Sequence, residues 1–569
     1  MHLTESKKVT RIEASSYTAE VSEEYIDIII AGERVSRLSP VSEVNVLSGG
    51  EKVKDQTSIV SFAYSKGGRD VVFTWTASSS LWGKKEFILR ACETRLEYFV
   101  KVAGSGAVDS VEYFLGEDGH GSEYEFDTGF TPIPTVDGAS QCVFSAQKSF
   151  DDFSFLTIPP LFSYIFDVSG MDKKLAFALA ADAGEHNFTK FTYNTATDGS
   201  LRRFFFATDQ CGHTKVDGIW TSPCVMIWGA SSRERALKYY ADVYFATGRA
   251  KVKDRAPRPR FWYGPIACGW IEQAAYSYTK GLGISQPEMA RQELYDNFNR
   301  ELERHDLHPT LMIIDDKWQT SYGDPWVNTD KWPDIRGWID SVREKYGRHT
   351  MLWYKLWDSE GLPDDECMAS DGEYCKRCAD PTNPKYRARL RESMHRLLSA
   401  DDGCYNADGL KIDFAFFQPT GSDAVSYSGK YGVELYLEYI KTIYEFAKEF
   451  KPDAVISASA CHPLFAPYID HARLHDYHPD LRRCPEEFSF RKMLYNTALP
   501  WSLVDTDGAA FRTHRDTMRY FIEAPQIGIP DIYCISDMPS LHLTDEDFAC
   551  VANIWREYSD FVDRIAEKR

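Results

Sequence analysis

From residue 261 onward the chain repeats one unit, a short apolar run followed by a stretch whose apolar residues return with helical period. The apolar runs are Phe261 to Gly269, Thr310 to Asp315, Thr350 to Trp357, Gly409 to Phe414, Ala454 to Ala460, Ala472 to Asp476, Trp501 to Asp505 and Asp531 to Ser536. Amphipathic stretches lie between them at Glu288 to Arg304, Tyr386 to Leu398, Gly432 to Phe450, Glu486 to Ala498, Arg512 to Ala524 and Asp545 to Val562. Strands that alternate with helices pair in parallel, because each helix returns the chain across the sheet. Eight such units in about 300 residues predict a closed (β/α)8 barrel.

The chain before this repeat reads differently. Up to about residue 230 it consists of short alternating segments, such as Glu24 to Ile30, Ser58 to Tyr64, Asp70 to Thr76 and Thr94 to Val102, separated by Gly, Ser and Asp clusters. That pattern predicts an antiparallel β-sandwich over residues 1–230. At Ser232 the period changes, and Ala236, Tyr239, Tyr240, Val243 and Tyr244 fall on one helical face. A basic, proline-bearing joint follows at Arg249 to Arg260, so residues 231–260 read as a helical linker and 261–569 as the catalytic barrel.

Composition narrows the partners. With 65 basic against 85 acidic residues the formal charge is −20, which disfavours nucleic acid and anionic membrane surfaces and suits a neutral or cationic ligand. Fourteen tryptophans in a chain rich in Tyr and Phe fit deep cores, or a site that stacks the flat faces of sugar rings. The start, Met1-His2-Leu3-Thr4-Glu5-Ser6, lacks a secretory signal, and no apolar run has the length of a membrane span. Thirteen scattered cysteines read as mostly buried thiols. Together these predict a cytoplasmic protein with no cofactor. Homo-oligomerisation stays open.

In such a barrel the chemistry sits where strands end. The predicted ends carry Trp270; Asp315, Asp316, Lys317 and Trp318; Trp357 and Asp358; Lys411 and Asp413; Cys461 and His462; Arg473, His475 and Asp476; Asp505 and Asp507; and Asp537. Strand-end acids also serve as helix N-caps, a role open to Asp505 and Asp537 but less suited to Asp413, whose next helix begins much later. Paired carboxylates, a cation and aromatics are what cleavage of a glycosidic bond requires. Lys411, two residues before Asp413, should point to the same side of its strand and keep that carboxylate ionised.

Four motifs then occur in one order: Ile314-Asp315-Asp316-Lys317-Trp318-Gln319, Leu410-Lys411-Ile412-Asp413, Ser459-Ala460-Cys461 and Arg473-Leu474-His475-Asp476. In this the chain resembles the α-galactosidases of glycoside hydrolase clan D, family 36 above all, a family that also holds raffinose synthases. The resemblance covers nearly the whole chain and implies a β-supersandwich ahead of the barrel. It also implies a retaining α-glycosidase with Asp413 as nucleophile and Asp476 as acid/base. Asp315 and Asp316 would accept from two sugar hydroxyls, Lys411, Cys461 and Arg473 would bind others, Trp270 would form part of the wall, and Trp357 is a further substrate-binding candidate. Lys317 stands where the family usually has Gly, and His462-Pro463-Leu464-Phe465 replaces its Gly-rich run. That bulk implies a reshaped subsite, and no C-terminal β-domain is expected.

Three other readings compete. Transglycosylation uses the same carboxylates, and a non-catalytic carbohydrate-binding protein could share the scaffold. A metal-dependent hydrolase would draw on His462, His471, His475, Asp476 and His478, with Cys367, Cys375 and Cys378 offering a separate cysteine-rich loop. Cys375-x-x-Cys378 lacks a second close pair, however, and the histidine spacing is not that of a zincin helix.

Overall fold

The computed structural model describes residues 1–6, 9–68, 70–133, 140–150, 159–198, 201–253, 257–372, 375–474, 484–506 and 513–566. The chain forms two compact units. One holds Met1–Ile133, Gln141–Ala250 and Thr420–Tyr436, and the other Pro134–Ser140, Lys251–Pro419 and Leu437–Arg569.

The first unit is built from nineteen described strands joined by antiparallel ladders. Its alternation is plain in Asp70–Ser79, where every second residue from Val71 to Ala77 is buried. The strand Leu96–Tyr113 ties the assembly together by pairing with Glu43–Ser48, Lys84–Ala91, Leu201–Thr221 and Cys224–Ala230. A register shift between Val108 and Ser110 marks where it bends to serve several partners. Phenylalanine and tyrosine fill the interior, as in the stacked pair Phe126 and Phe166 at 4.1 Å. Helix Arg233–Ala246 begins on Ser232, whose side chain accepts from the Arg235 N–H, and buries Ala236, Tyr240, Val243 and Tyr244 as its period predicts.

Among its described residues the second unit has eight parallel strands: β1 (Ile266–Cys268), β2 (Leu311–Ile314), β3 (His349–Lys355), β4 (Gly409–Asp413), β5 (Val455–Ala458), β6 (His471–Arg473), β7 (Leu503–Asp505) and β8 (Asp531–Ile532). Their order is β7-β6-β5-β4-β3-β2-β1-β8. The parallel bridge between Asp505 and Ile529, just ahead of β8, brings the ring round, so the barrel is nearly closed. Ile266, Cys268, Leu311, Ile313, Met351, Val455 and Ile529 form a core cluster with almost no exposure. Gly409 lets β4 lie against β5, since a Cβ there would stand 2.4 Å from the Val455 carbonyl oxygen.

Several strands stop earlier than their apolar runs suggest. β1 ends at Cys268, and Trp270 already belongs to helix Gly269–Thr279, one the sequence reading missed. β3 ends at Lys355 and β8 at Ile532, so Trp357 and Asp537 lie beyond them. Helix Ile335–Tyr346 was also missed, although Asp334 caps it and Gly347 closes it at φ 67°. Between β5 and β6 stands only the 3₁₀ turn Pro463–Tyr468, because Pro467, inside it, lacks a backbone donor that a longer helix needs.

Candidate active site

Three strands leave the barrel through a residue that is not glycine yet has positive φ: Lys317 (78°) after β2, Trp357 (64°) after β3 and Phe414 (60°) after β4. Such backbone costs about 1–3 kcal/mol per residue and persists where surrounding contacts enforce it. Here the three sites surround one group of charged side chains.

Asp413 is the last residue of β4 and pairs in register with Lys355. Its Oδ1 accepts from the Phe414 N–H at 2.8 Å and from the Arg473 guanidinium at 3.2 Å. Its Oδ2 accepts from the Trp353 indole N–H at 3.2 Å. Arg473 closes β6 and Trp353 lies within β3, so three strands aim these groups at one carboxyl. Trp353 is held in turn by the Trp318 indole N–H, which donates to its carbonyl at 2.9 Å.

Asp315 follows β2 and is buried beside Lys411. The Lys411 ammonium donates to Asp315 Oδ2 at 2.8 Å, and the Cys268 thiol reaches the same oxygen at 3.2 Å. Asp315 Oδ1 accepts from the Asp316 N–H at 2.9 Å. The Asp315 N–H donates to the Tyr295 hydroxyl at 2.8 Å, an approach that Gly269 makes room for. Lys411 thus pairs with Asp315, and Arg473 places a cation against Asp413. A strand's side-chain direction is legible in sequence, but which of two neighbouring acids a four-carbon stem reaches is not.

Asp316 points elsewhere. Burial pushes its carboxyl up to about 6, with the charges of Asp315 and Asp413 adding to the effect. Opposing them are Lys355 and the Tyr322 hydroxyl, which donates to Asp316 Oδ1 at 2.8 Å. Two ammonium groups lie over the Tyr322 ring, Lys317 at 3.8 Å and Lys355 at 4.3 Å from its centroid. Lys317 also pairs with Glu360 at 2.9 Å, and Lys355 with Asp358 at 2.8 Å. Sequence reasoning overlooked Trp353, Tyr322 and Lys355. Trp353 and Lys355 share the strand face that meets Asp413, a parity signal available in the apolar run, whereas nothing in the sequence marks Tyr322.

The remaining candidates take other positions. Trp270 is half-buried against the barrel core, and its carbonyl accepts from Gln286 at 2.6 Å. Trp357 is wholly buried, donates its indole N–H to the Ala415 carbonyl at 3.2 Å and meets the Tyr439 ring edge-on at 5.0 Å. Cys461 is also wholly buried, and burial pushes its thiol far up. His462 caps the 3₁₀ turn by accepting from the Leu464 N–H, while His471 opens β6 with its ring buried and pushed down to about 3 by that burial. Asp505 accepts from the Ser457 hydroxyl at 2.8 Å and Asp537 pairs with His542 at 2.6 Å. Asp476, His475, His478 and Asp507 lie outside the described residues. Among the described residues no three His, Cys, Asp or Glu side chains converge as a metal site.

No family model matches this sequence, and no curated protein matches it either. Solved structures do match its fold. The α-galactosidase AgaB of glycoside hydrolase family 36 from Geobacillus stearothermophilus is 12% identical, with 99% of this chain and 86% of that one covered at a TM-score of 0.55. A variant of AgaA from the same organism, in complex with raffinose, is 11% identical over 98% of this chain and 86% of its own, with a TM-score of 0.57. An uncharacterized protein of Listeria monocytogenes, in complex with α- and β-glucose, magnesium and calcium, is 11% identical over 97% of this chain and 58% of its own, at 0.56. The large antiparallel unit followed by the parallel barrel is therefore a fold of the family 36 type. Among the described residues no helix is long and apolar enough to cross a membrane.

Proposed function

We propose that this chain is a retaining glycosidase that removes terminal α-linked sugars from oligosaccharides or glycoconjugates. The observation that carries the reading is Asp413: a carboxylate at the mouth of a family 36-type barrel, oriented by an indole N–H, a backbone N–H and a guanidinium from neighbouring strands. A nucleophile must meet the anomeric carbon along one line, and three donors on a carboxyl of low exposure fix that direction before substrate arrives. The guanidinium also favours the charged form, the one that attacks.

In this proposal Asp413 displaces the aglycone and becomes bonded to the anomeric carbon. Asp476, three residues beyond Arg473, protonates the departing oxygen. It then takes a proton from the water that releases the sugar with its original configuration. Asp315 and Asp316 accept from ring hydroxyls, and Lys411 both donates to a hydroxyl and neutralises Asp315. Arg473 positions Asp413, while Trp270 and Trp357 support the wall. The raffinose in complex with the AgaA variant and the glucose in complex with the Listeria protein support a carbohydrate substrate.

The segment after β5 supports a narrower reading of the substrate. Cys461 and His462 are buried and a proline-rich 3₁₀ turn follows, so bulky side chains stand where the family's glycines give room. The preferred substrate is accordingly an α-glycoside other than a simple galactoside. A panel of aryl α- and β-glycosides, with the first-formed anomer followed by NMR, tests the reading. Cleavage of an α-glycoside with retention is expected. Inversion, exclusive β-activity or an inert protein across the panel would each overturn it.

A further inference from the structure

The segment after β3 carries chemistry that glycoside cleavage does not use. Strands Cys367–Ala369 and Arg377–Ala379 form an antiparallel hairpin whose register sets Met368 opposite Cys378 and Cys367 opposite Ala379. Directly opposed residues share a face, so Cys367 and Cys378 point to opposite sides. Cys375 lies in the connection, and the Cys378 thiol donates to its sulfur at 2.6 Å. That is within about 0.6 Å of a covalent S–S bond. Cys378 is buried while Cys375 is partly exposed, which gives the pair one sulfur that an external reagent can reach and one that it cannot. The hydrogen bond from Cys378 also draws the Cys375 thiol below its ordinary value. Cys367 is engaged elsewhere, its thiol donating to the Pro363 carbonyl at 3.3 Å.

We infer that Cys375 and Cys378 form a reversible intramolecular disulfide, a redox modification site on the hairpin behind the barrel mouth. The co-reactant is a low-molecular-weight disulfide of the glutathione type. The Cys375 thiolate attacks one of its sulfurs, releasing the first thiol and leaving a mixed disulfide. Cys378 gives up its proton and attacks the Cys375 sulfur, releasing the second thiol. The protein dithiol loses two protons and two electrons, and the reagent gains both pairs. A metal ion is the weaker occupant, since two sulfurs supply half of a tetrahedral set and among the described residues no third ligand joins them.

The bond has a structural consequence. The hairpin backs two segments of the mouth: the Ala379 N–H donates to the Trp357 carbonyl at 3.0 Å, and the Cys378 thiol faces the Phe417 carbonyl at 3.9 Å. Ser359 adds a bond from its hydroxyl to the Arg377 carbonyl at 2.8 Å. Oxidation would therefore cross-link the support of Trp357 and of the turn that follows Asp413.

The test is peptide mapping of the full chain after equilibration in glutathione buffers, followed by alkylation, and it calls on no glycosidase activity. Trypsin cuts after Lys376 and Arg377, so a disulfide appears as the peptide 356–376 joined to 378–385. The joined pair is expected in glutathione disulfide, with two fewer alkylatable thiols, and it should revert in excess reduced glutathione. It should persist in Cys367→Ser and vanish in Cys375→Ser. Its absence from the wild-type chain in pure glutathione disulfide, or its persistence in Cys375→Ser, would overturn the inference.

Discussion

Replacing Lys411 by Met removes one charge of a buried pair and leaves the other. Lys411 and Asp315 meet at 2.8 Å with side chains only 4% and 3% exposed. At that distance and an effective dielectric of about 20 their attraction is about 6 kcal/mol, comparable with the several kcal/mol each ion loses on leaving water. The intact pair is therefore close to neutral for stability. Lys411→Met keeps the cost to Asp315 and deletes the attraction, leaving the Cys268 thiol and the Asp316 N–H as partners. The expected loss is about 3–5 kcal/mol, or roughly 10²–10⁴ in the folding equilibrium of the barrel unit. Lys411→Met combined with Asp315→Leu removes both charges and should recover most of that loss, although both variants lack the proposed sugar contacts. Urea unfolding followed by tryptophan fluorescence measures the cycle, and hydrogen exchange in β2 and β4 assigns the transition to the barrel. A Lys411→Met variant within about 1 kcal/mol of wild type, or a double variant no more stable than the single, would refute the argument.

Asp413→Ala should lower turnover by on the order of 10⁴–10⁶, with azide or formate restoring part of it by entering the vacated space, whereas Asp476→Ala should spare aryl glycosides whose leaving groups need no proton. Equal losses of the two variants on every leaving group would dismiss that division of roles. Because burial raises the Asp316 carboxyl to about 6, KM for the best α-glycoside should rise as pH falls through that value and an acceptor of sugar hydroxyls is protonated. Asp316→Asn should flatten this limb, and Tyr322→Phe should move it to higher pH by removing a hydrogen bond to the charged form; a limb unmoved in both would exclude Asp316 as its source. Burial alone would raise the Asp408 carboxyl, but His349, Lys451 and Arg343 hold it well below the ordinary range. A depressed carboxyl contributes stability in full above its unfolded pKa of about 4 and loses it as pH falls toward the folded value. Asp408→Asn should therefore cost about 3 kcal/mol at pH 7, with a gap to wild type that narrows below pH 4 in urea titrations; a constant gap would contradict the assignment.

The barrel was legible because its information is local and repeated. Each β strand is a run of apolar residues, each long helix has its own period, and eight repeats outweigh an error in any one. The errors fell where local signals conflict. Trp270 and Trp357 extend apolar runs without extending the strands, since the chain turns at Gly269 into a helix and at Trp357 into the left-handed region. The helix Gly269–Thr279 was hidden because it begins on the residue after β1 and has no side-chain cap.

What the amino-acid order determined by itself is the alternation of elements, the two-part architecture of antiparallel unit and parallel barrel, and the presence of Lys411, Asp413 and Arg473 in strands β4 and β6. These follow from periods of 2 and 3.6 residues and from strand direction, which a chain carries wherever it goes. Tertiary structure decided who meets whom: Lys411 with Asp315, Arg473 and Trp353 with Asp413, Tyr322 with Asp316, Cys375 with Cys378. Such partnerships depend on separations of a few ångströms between residues up to 96 positions apart. Their energies arise only where burial excludes water, and burial is a property of the assembled barrel rather than of any segment within it.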